Sequence, residues 1–152
     1  MNNLKNPYKS DRLAVNNEHI IMVPASTEYL NRVRSFVADL ARQSGFSEAD
    51  VEDIRLAVDE ACTNVIKHAY NYDSSKKIQV KVSINAKQLN ISLYDSGNCF
   101  DPDTFRKPNL KEQVLKKMRG GMGIYLIKKS MDKVQYRRDD TINEICMTKI
   151  RR

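Results

Sequence analysis

The sequence predicts an α+β fold, a two-layer sandwich in which helices cover one face of a mixed, mainly antiparallel sheet. The patterns run strand, helix, helix, strand, strand, long loop, helix, strand and strand, so they do not alternate as a doubly wound parallel sheet requires. Two alternating runs, KIQVKVSI and LNISLYD, are separated by only four residues, which is typical of a hairpin. The length of 152 residues favours one domain, and we assign residues 1–18 to a polar N-terminal tail and residues 19–152 to that domain.

The first half of the domain is predicted to form one strand and two helices. The apolar run in EHIIMVPAS forms the strand, and Ser26 or Thr27 can cap the helix that follows. Gly45 ends that helix, and Ser47 caps the next one, which continues to about Ala69. The positions expected to face the core recur at helical spacing. They are Leu30, Val33, Phe36, Val37 and Leu40 in the first helix and Val51, Ile54, Val58, Ala61 and Val65 in the second.

The second half is predicted to contain the hairpin, a long loop, a helix and two further strands. Residues 96–119 show no periodicity, and a loop of that length inside a compact domain is usually functional. A helix is expected from about Ile124 to Met131, and the strands KVQYRR and EICMTKI flank a turn at DDTIN.

The composition excludes several classes of protein. No run approaches the ~18 apolar residues that a membrane span needs, and the first residues lack the apolar stretch of a signal peptide, so we expect a cytoplasmic protein without membrane contact. The three cysteines, Cys62, Cys99 and Cys146, are odd in number and lack CxxC spacing, which argues against a disulfide framework or a zinc site.

The charge is uneven along the chain. The formal net charge is +7, but residues 1–75 hold eight basic and eleven acidic residues, whereas residues 76–152 hold eighteen and eight. A basic second half is compatible with a polyanionic partner such as nucleic acid. It is equally compatible with an ordinary solvated basic surface, and charge alone does not decide between them. The aromatic residues are not interleaved with the basic run as a stacking platform for bases requires, so we expect no direct contact with nucleic acid.

Three short motifs could carry chemistry. In VEDIRLAVDEACTNVIKHAY, Glu60, Asn64 and His68 lie four residues apart and are expected to stack along one line of the helix. The carboxylate can accept a proton, and the amide oxygen suits a hard cation such as Mg²⁺. In LYDSGNCFD, Asp95 ends a strand and can accept a hydrogen bond from an amino group, while Gly97 lets a flat ring approach the backbone.

The third motif is MRGGMGIYLIKK, in which three of the five glycines precede a helix. Such a cluster presents free backbone N–H groups and a positive dipole end to a phosphate. A basic segment at 106–119 leads into it. Taken singly, the three motifs also fit a polar helix flank, a simple turn and a flexible connection. No GxxxxGK[ST] loop is present, and no GxGxxG follows a strand.

Together, in this order, the motifs resemble those of the Bergerat-fold (GHKL) ATPases, a superfamily that includes gyrase, the Hsp90 chaperone, histidine kinases and MutL. The finer resemblance is to the bacterial anti-sigma-factor serine kinases, carried by DEACTNVIKHAY, DSGNCFD and GGMGIYLIKKSMDKV. It covers roughly residues 20–152 and implies a histidine-kinase-like ATPase domain.

The resemblance also implies roles for single residues. Glu60 would be the catalytic base, and Asn64 would bind Mg²⁺ and so hold the phosphates of ATP. Asp95 would receive the amino group of adenine, with Gly97 beside the ring. The other residues implied to bind the nucleotide are Lys67 and His68 on the helix and Arg119, Gly120, Gly121, Met122, Gly123 and Ile124 at the glycine corner.

The implied activity is that of an ATP-dependent serine/threonine-protein kinase. It would phosphorylate a small anti-anti-sigma (STAS-type) antagonist, bind a sigma factor and form a homodimer. The alternative is a catalytically silent ATP- or ADP-binding module that regulates by sequestering a partner. Two positions depart from the superfamily pattern. Cys99 replaces the second glycine of D-x-G-x-G, and the last strand offers Asn143 or Glu144 where a threonine is usual, with Thr148 out of register.

Overall fold

The computed structural model describes residues 17–98 and 123–152. The predicted tail before residue 17 and most of the long loop lie outside these residues. Four of the implied nucleotide contacts, Arg119, Gly120, Gly121 and Met122, also lie outside them. So does Cys99, the residue that differs from the D-x-G-x-G pattern. Within the described residues, no helix is long and apolar enough to cross a bilayer.

Within residues 17–98 and 123–152, five strands form a single sheet. They are β1 (Asn17–Pro24), β2 (Lys77–Ile84), β3 (Gln88–Asp95), β4 (Lys133–Asp139) and β5 (Ile142–Ile150). Their order is β1-β2-β3-β5-β4, and each neighbouring pair is antiparallel. The α+β prediction is confirmed, and among the described strands the sheet is antiparallel throughout. The β3–β5 register sets Asn143 opposite Asp95, which leaves Thr148 far from that end of the sheet, opposite Asn90.

Three helices are present in the described parts of the chain: α1 (Leu30–Gln43), α2 (Glu48–Asn64) and α3 (Gly123–Ser130). A 3₁₀ turn at Thr27–Tyr29 precedes α1, and the hydroxyl of Ser26 accepts from the N–H of Glu28. The hydroxyl of Ser47 accepts from the N–H of Asp50 at 3.2 Å, as its predicted capping role requires. Gly45 ends α1 with a φ of +87°, a conformation that glycine adopts without steric cost.

The core lies between the helices and one face of the sheet. The predicted stripe of α2 is buried along its whole length, and alternate residues of the two hairpin strands are buried beneath it. The largest of these fully buried side chains are Ile54, Ile78, Leu89, Ile91 and Leu93. Each contributes about 1.5–3 kcal/mol through the apolar surface that it removes from water. This packing makes α2 the central helix, in contact with both α1 and α3.

The end of α2 widens into a π-helical turn at Val65–Ala69. The N–H of Tyr70 donates to the carbonyl of Val65 at 2.9 Å, five residues back instead of four. The α-helical line through Glu60 and Asn64 therefore stops at Asn64, and His68 is exposed. Our expectation that His68 continues that line is wrong, because the side-chain period changes where the helix widens.

A buried lysine holds the far end of α3. The side chain of Lys149, on β5, donates to the last carbonyl of α3, that of Ser130, at 2.6 Å. It also lies 3.1 Å from Oδ2 of Asp53 and 3.8 Å from Oδ1 of Asp50 at the start of α2. A cation at a helix C-terminus is favourable because the free carbonyls there carry partial negative charge. Lys149 thus ties the C-terminus of α3 to the N-terminus of α2.

Candidate functional site

The N-terminus of α3 lies directly against two polar side chains of α2. A Cβ placed on Gly123 would lie 2.9 Å from Oε2 of Glu60 and 3.1 and 3.2 Å from Oδ1 and Nδ2 of Asn64. Any side chain at Gly123 would therefore push against both groups. The structure brings together the carboxylate of Glu60, the carboxamide of Asn64 and the last glycine of the corner, although Glu60 and Gly123 are 63 positions apart in the sequence.

Glu60 is electrostatically suited to exchange a proton. Partial burial raises the pKa of its carboxyl group, and the negative charge of the neighbouring Asp59 raises it further, while the charge of Lys67 lowers it. A carboxylate with a raised pKa is a stronger base than an ordinary surface glutamate. Lys67 therefore acts on the site through its charge, whereas the exposed His68 has no described contact with it.

Asp59 is itself restrained from the neighbouring helix. Its Oδ1 lies 3.4 Å from Nε of Arg34 on α1, an ion pair whose geometry falls short of a hydrogen bond. The N–H at Nε of Arg34 donates instead to the carbonyl of Leu30 at 3.3 Å. Asp59 therefore keeps its charge close to Glu60 while its side chain is held toward α1.

The oxygen atoms of Glu60 and Asn64 have the chemistry that Mg²⁺ prefers. Magnesium is held in proteins by one or two such oxygens together with substrate phosphates and water, so a complete protein cage is not needed. The described residues contain no cluster of three or more His, Cys, Asp or Glu side chains that could form one. The fit of Gly123 against the two groups also leaves backbone, not a side chain, facing them.

A second cluster surrounds Asp95 at the end of β3. The residue as a whole is 8% exposed, and Oδ1 of its carboxylate accepts from the N–H of Gly97 at 2.9 Å and from Nδ2 of Asn143 at 2.9 Å. Across residues 17–98 and 123–152, the hydrogen bonds to this carboxylate all go to Oδ1. Within these residues, no donor is assigned to the second oxygen, Oδ2.

Gly97 packs on the end of the π-helical turn. A Cβ on Gly97 would collide with the backbone oxygen of Ala69 and would lie 2.6 Å from its carbonyl carbon. The next residue, Asn98, donates its N–H to the same oxygen at 2.9 Å. The absence of a side chain at Gly97 lets the turn after β3 close onto the π-helical turn that follows α2.

Tyr70 supports this turn and was not identified by the sequence analysis. Its buried hydroxyl donates to the carbonyl of Lys77 at 2.7 Å and accepts from the N–H of Ser96 at 2.8 Å. It therefore joins the π-helical turn, the start of β2 and the residue after Asp95. The only sequence signal for it is an aromatic residue with a polar tip immediately after a helix, and that signal is too common to single it out.

Ile124 is nearly fully buried. An implied contact between Ile124 and a nucleotide must therefore be made by its backbone N–H in the first turn of α3, where helix N–H groups have no partner within the helix.

In a comparison with known protein families, residues 23–149 match the model of the histidine kinase-like ATPase domain. The match spans most of the chain and includes every described residue of the two clusters. Curated relatives named serine-protein kinase RsbW are similar over most of their length. The one from Bacillus licheniformis is 34% identical over 130 residues, which cover 83% of this chain and 81% of that protein. The one from Halalkalibacterium halodurans is 35% identical over 131 residues, covering 84% and 79%.

Solved structures share the fold at low sequence identity. The RsbU and RsbW domains of Rv1364c from Mycobacterium tuberculosis superpose with a TM-score of 0.64 and 16% identity, over 90% of this chain and 33% of that longer one. The SiaB–SiaC complex from Pseudomonas aeruginosa gives a TM-score of 0.56 and 15% identity, over 87% and 89%. Likeness at these identities concerns the fold alone.

Proposed function

The chain belongs to the family of histidine kinase-like ATPase domains, and on that premise we propose that it is an ATP-dependent serine protein kinase and anti-sigma regulatory factor. The observation that carries the proposal is the approach of Gly123 to Glu60 and Asn64, so close that a Cβ would displace the ends of both side chains. A base, a Mg²⁺ ligand and the backbone of a helix N-terminus then share one small volume. The relatives named serine-protein kinase support a kinase over other members of the fold.

In this proposal ATP lies between the two clusters. The amino group of adenine donates to Oδ2 of Asp95, and the ring lies beside Gly97. The phosphates reach the N-terminus of α3, where backbone N–H groups and the helix dipole favour negative charge. Arg119, Gly120, Gly121 and Met122, which precede α3, and the backbone of Ile124 complete the phosphate contacts, and Lys67 adds a positive charge near Glu60.

Glu60 is the proposed general base. It accepts the proton of a serine hydroxyl on the acceptor protein, and the serine oxygen bonds to the γ-phosphorus. The bond from that phosphorus to the oxygen bridging the β- and γ-phosphates breaks, so ADP leaves with the electron pair, and the proton on Glu60 passes later to water. Asn64 would hold Mg²⁺, which would neutralise negative charge on the phosphoryl group.

The proposed partners are proteins. We assign the acceptor to the small STAS-type anti-anti-sigma proteins and the second partner to a sigma factor, with a homodimer as the active form and the cytoplasm as the location. The excess of basic residues in the second half of the chain suits an acidic partner surface.

The test is a phosphotransfer assay with γ-labelled ATP and the small acceptor protein. Glu60→Gln is expected to retain ATP binding and to lose transfer by about 10²–10⁴-fold, the usual contribution of a general base. Asp95→Asn is expected to lose ATP binding. Glu52→Gln, the same change on the exposed side of α2, is the matched control and should transfer phosphate normally.

Two outcomes would overturn parts of the proposal. Normal transfer by Glu60→Gln would remove Glu60 as the base. ATP binding by the wild-type protein without transfer to any acceptor would favour the alternative, a catalytically silent ATP- or ADP-binding module that sequesters its partner.

A further inference from the structure

The β4–β5 hairpin reaches across to the turn that follows Asp95. From β5, Nδ2 of Asn143 donates to Oδ1 of Asp95 at 2.9 Å, to the carbonyl of Gly97 at 3.1 Å and, more weakly, to the carbonyl of Asn98 at 3.4 Å. One carboxamide therefore contacts three of the four residues from Asp95 to Asn98. The opposed positions of Asn143 and Asp95 in the β3–β5 register make these contacts possible.

Arg138 fixes which way this carboxamide points. Its Nη1 lies 2.6 Å from Oδ1 of Asn143, and a guanidinium can only donate. The oxygen of the amide must therefore face β4, which leaves the NH₂ group facing Asp95 and Gly97. The reversed amide would set an oxygen against a carboxylate and two carbonyl oxygens, an arrangement with no donor.

We propose that Arg138 and Asn143 form a positioning pair that shapes the base-binding end of the nucleotide site. The inference rests on the proposed function, because it takes the turn after Asp95 as the site of the base. Asn143 occupies Oδ1 of Asp95 and donates to the carbonyls of Gly97 and Asn98 as well. The carboxylate then presents Oδ2 in one fixed orientation, which fits the 6-amino group of a purine and disfavours a 6-oxo purine.

The pair acts on affinity for the base and not on affinity for the phosphates. Neither residue lies near the Glu60–Asn64–Gly123 cluster in the described contacts, so the phosphate end is expected to be independent. This separation gives a signature that general loss of stability cannot produce, because unfolding weakens binding of every ligand equally.

The experiment measures dissociation constants for ATP, inosine triphosphate and inorganic tripolyphosphate with the full-length protein. Asn143→Asp is nearly isosteric and sets a second carboxylate against Asp95, so ATP binding is expected to weaken by at least about 10-fold, the usual effect of losing a hydrogen bond to a charged group. Binding of tripolyphosphate should stay within about 2-fold of wild type, and the preference for ATP over inosine triphosphate should shrink.

Arg138→Met removes the residue that orients the amide, and it is expected to weaken ATP binding by about 3-fold, since the amide can still find the correct orientation part of the time. Arg137→Met is the matched control. It removes the same charge one position earlier, opposite Glu144 instead of Asn143, and should leave all three constants unchanged. Thermal unfolding of each variant, measured without ligand, separates binding from stability.

Unchanged ATP affinity in Asn143→Asp would overturn the inference and leave the proposed kinase intact. An equal loss for ATP and tripolyphosphate would also overturn it, because the residue would then act on the whole domain. Failure of the wild-type protein to bind ATP would overturn both this inference and the proposed function.

Discussion

Gly97 and Gly123 are both glycines packed against the same helical segment, yet they meet different kinds of atoms. Gly97 faces the backbone of Ala69, at the end of the π-helical turn. Gly123 faces the tips of two side chains, Glu60 and Asn64. A backbone carbonyl within a hydrogen-bonded turn cannot move aside, whereas the end of a side chain can rotate away at modest cost.

The difference assigns Gly97 chiefly to the fold, whereas Gly123 matters chiefly to the proposed nucleotide site. The contact at Gly97 closes the turn that carries Asp95 onto α2, so it contributes to both fold and site. The contact at Gly123 brings the N-terminus of α3 to a carboxylate and a carboxamide. The packing of the core does not require these two polar groups to touch the backbone of another helix. Substitution should therefore damage the two positions in different measurements.

The largest loss of stability is expected at Gly97. Gly97→Ala forces a methyl group into the backbone of Ala69, and we expect the free energy of unfolding to fall by about 3 kcal/mol, at the upper end for overpacked sites. Urea unfolding monitored by circular dichroism measures it. Ser96→Ala is the control, because it keeps the backbone N–H that donates to the hydroxyl of Tyr70. It should lower the free energy of unfolding by less than about 0.5 kcal/mol. A cost equally small for Gly97→Ala would contradict the close approach.

The next largest effect is expected at Lys149, which holds the opposite end of the helix that Gly123 begins. Lys149→Met keeps the apolar stem but removes the donor to Ser130 and the partner of Asp53, so a loss of about 2 kcal/mol is expected. Because α3 is then free to shift, ATP affinity should fall as well. Lys87→Met, an exposed lysine in the β2–β3 turn, serves as the control. If stability falls while ATP affinity is unchanged, α3 does not depend on this anchor for its position.

At Gly123 the expected effect is on binding. Gly123→Ala should weaken ATP binding by about 10-fold, since the methyl group fills the space before Glu60 and Asn64. Stability should stay level or rise slightly, because alanine favours helix over glycine by up to about 1 kcal/mol. Calorimetric titration and thermal unfolding of one preparation provide both numbers. Normal ATP binding by the variant would mean that this glycine is only a connection into α3.

The smallest effects concern pH. Because the pKa of the Glu60 carboxyl is raised above its ordinary value, the rate of phosphotransfer should begin to fall at a higher pH than with an ordinary glutamate as the base. Asp59→Asn removes a charge that raises this pKa and should move the fall to lower pH. Lys67→Met removes a charge that lowers it and should move the fall to higher pH. Shifts in the same direction for both variants would contradict the assignment.

The same pKa has a consequence for stability. A carboxyl group whose pKa is higher in the folded protein binds its proton more tightly there, so the folded state loses stability as pH rises through that pKa. Glu60→Gln removes the loss and should unfold at higher urea than wild type at pH 7, with the advantage gone below the unfolded pKa near 4.5. The absence of any gain at pH 7 would argue that Glu60 is not held in an unfavourable environment.

Much of the fold could be predicted because local patterns agree with it. The hairpin strands, the burial of the α2 stripe and the caps at Ser26, Ser47 and Gly45 all follow from periodicity and turn chemistry, and the structure confirms them. Boundaries also held within a few residues. β1 begins at Asn17, one residue before the predicted strand, and α3 begins at Gly123, one residue before its predicted start.

The site was predicted less completely. Glu60, Asn64, Asp95 and Gly97 were identified from their motifs, but the sequence suggested that His68 continues the line of α2. The π-helical turn is a small change in backbone hydrogen bonding, and the periodicity of the sequence carries no sign of it. The supporting roles of Tyr70, Arg138 and Lys149 were missed for the same reason, since each acts on residues distant in the sequence.

The sequence alone determined the order of the elements, the α+β class and the residue types able to bind a nucleotide, because these depend on neighbours along the chain. Only the tertiary structure decided which of those residues meet. The β3–β5 register sets Asn143 on Asp95, and the packing of α3 on α2 sets Gly123 on Glu60 and Asn64. Such contacts arise from packing between segments far apart in sequence, and their geometry is fixed only when the core closes.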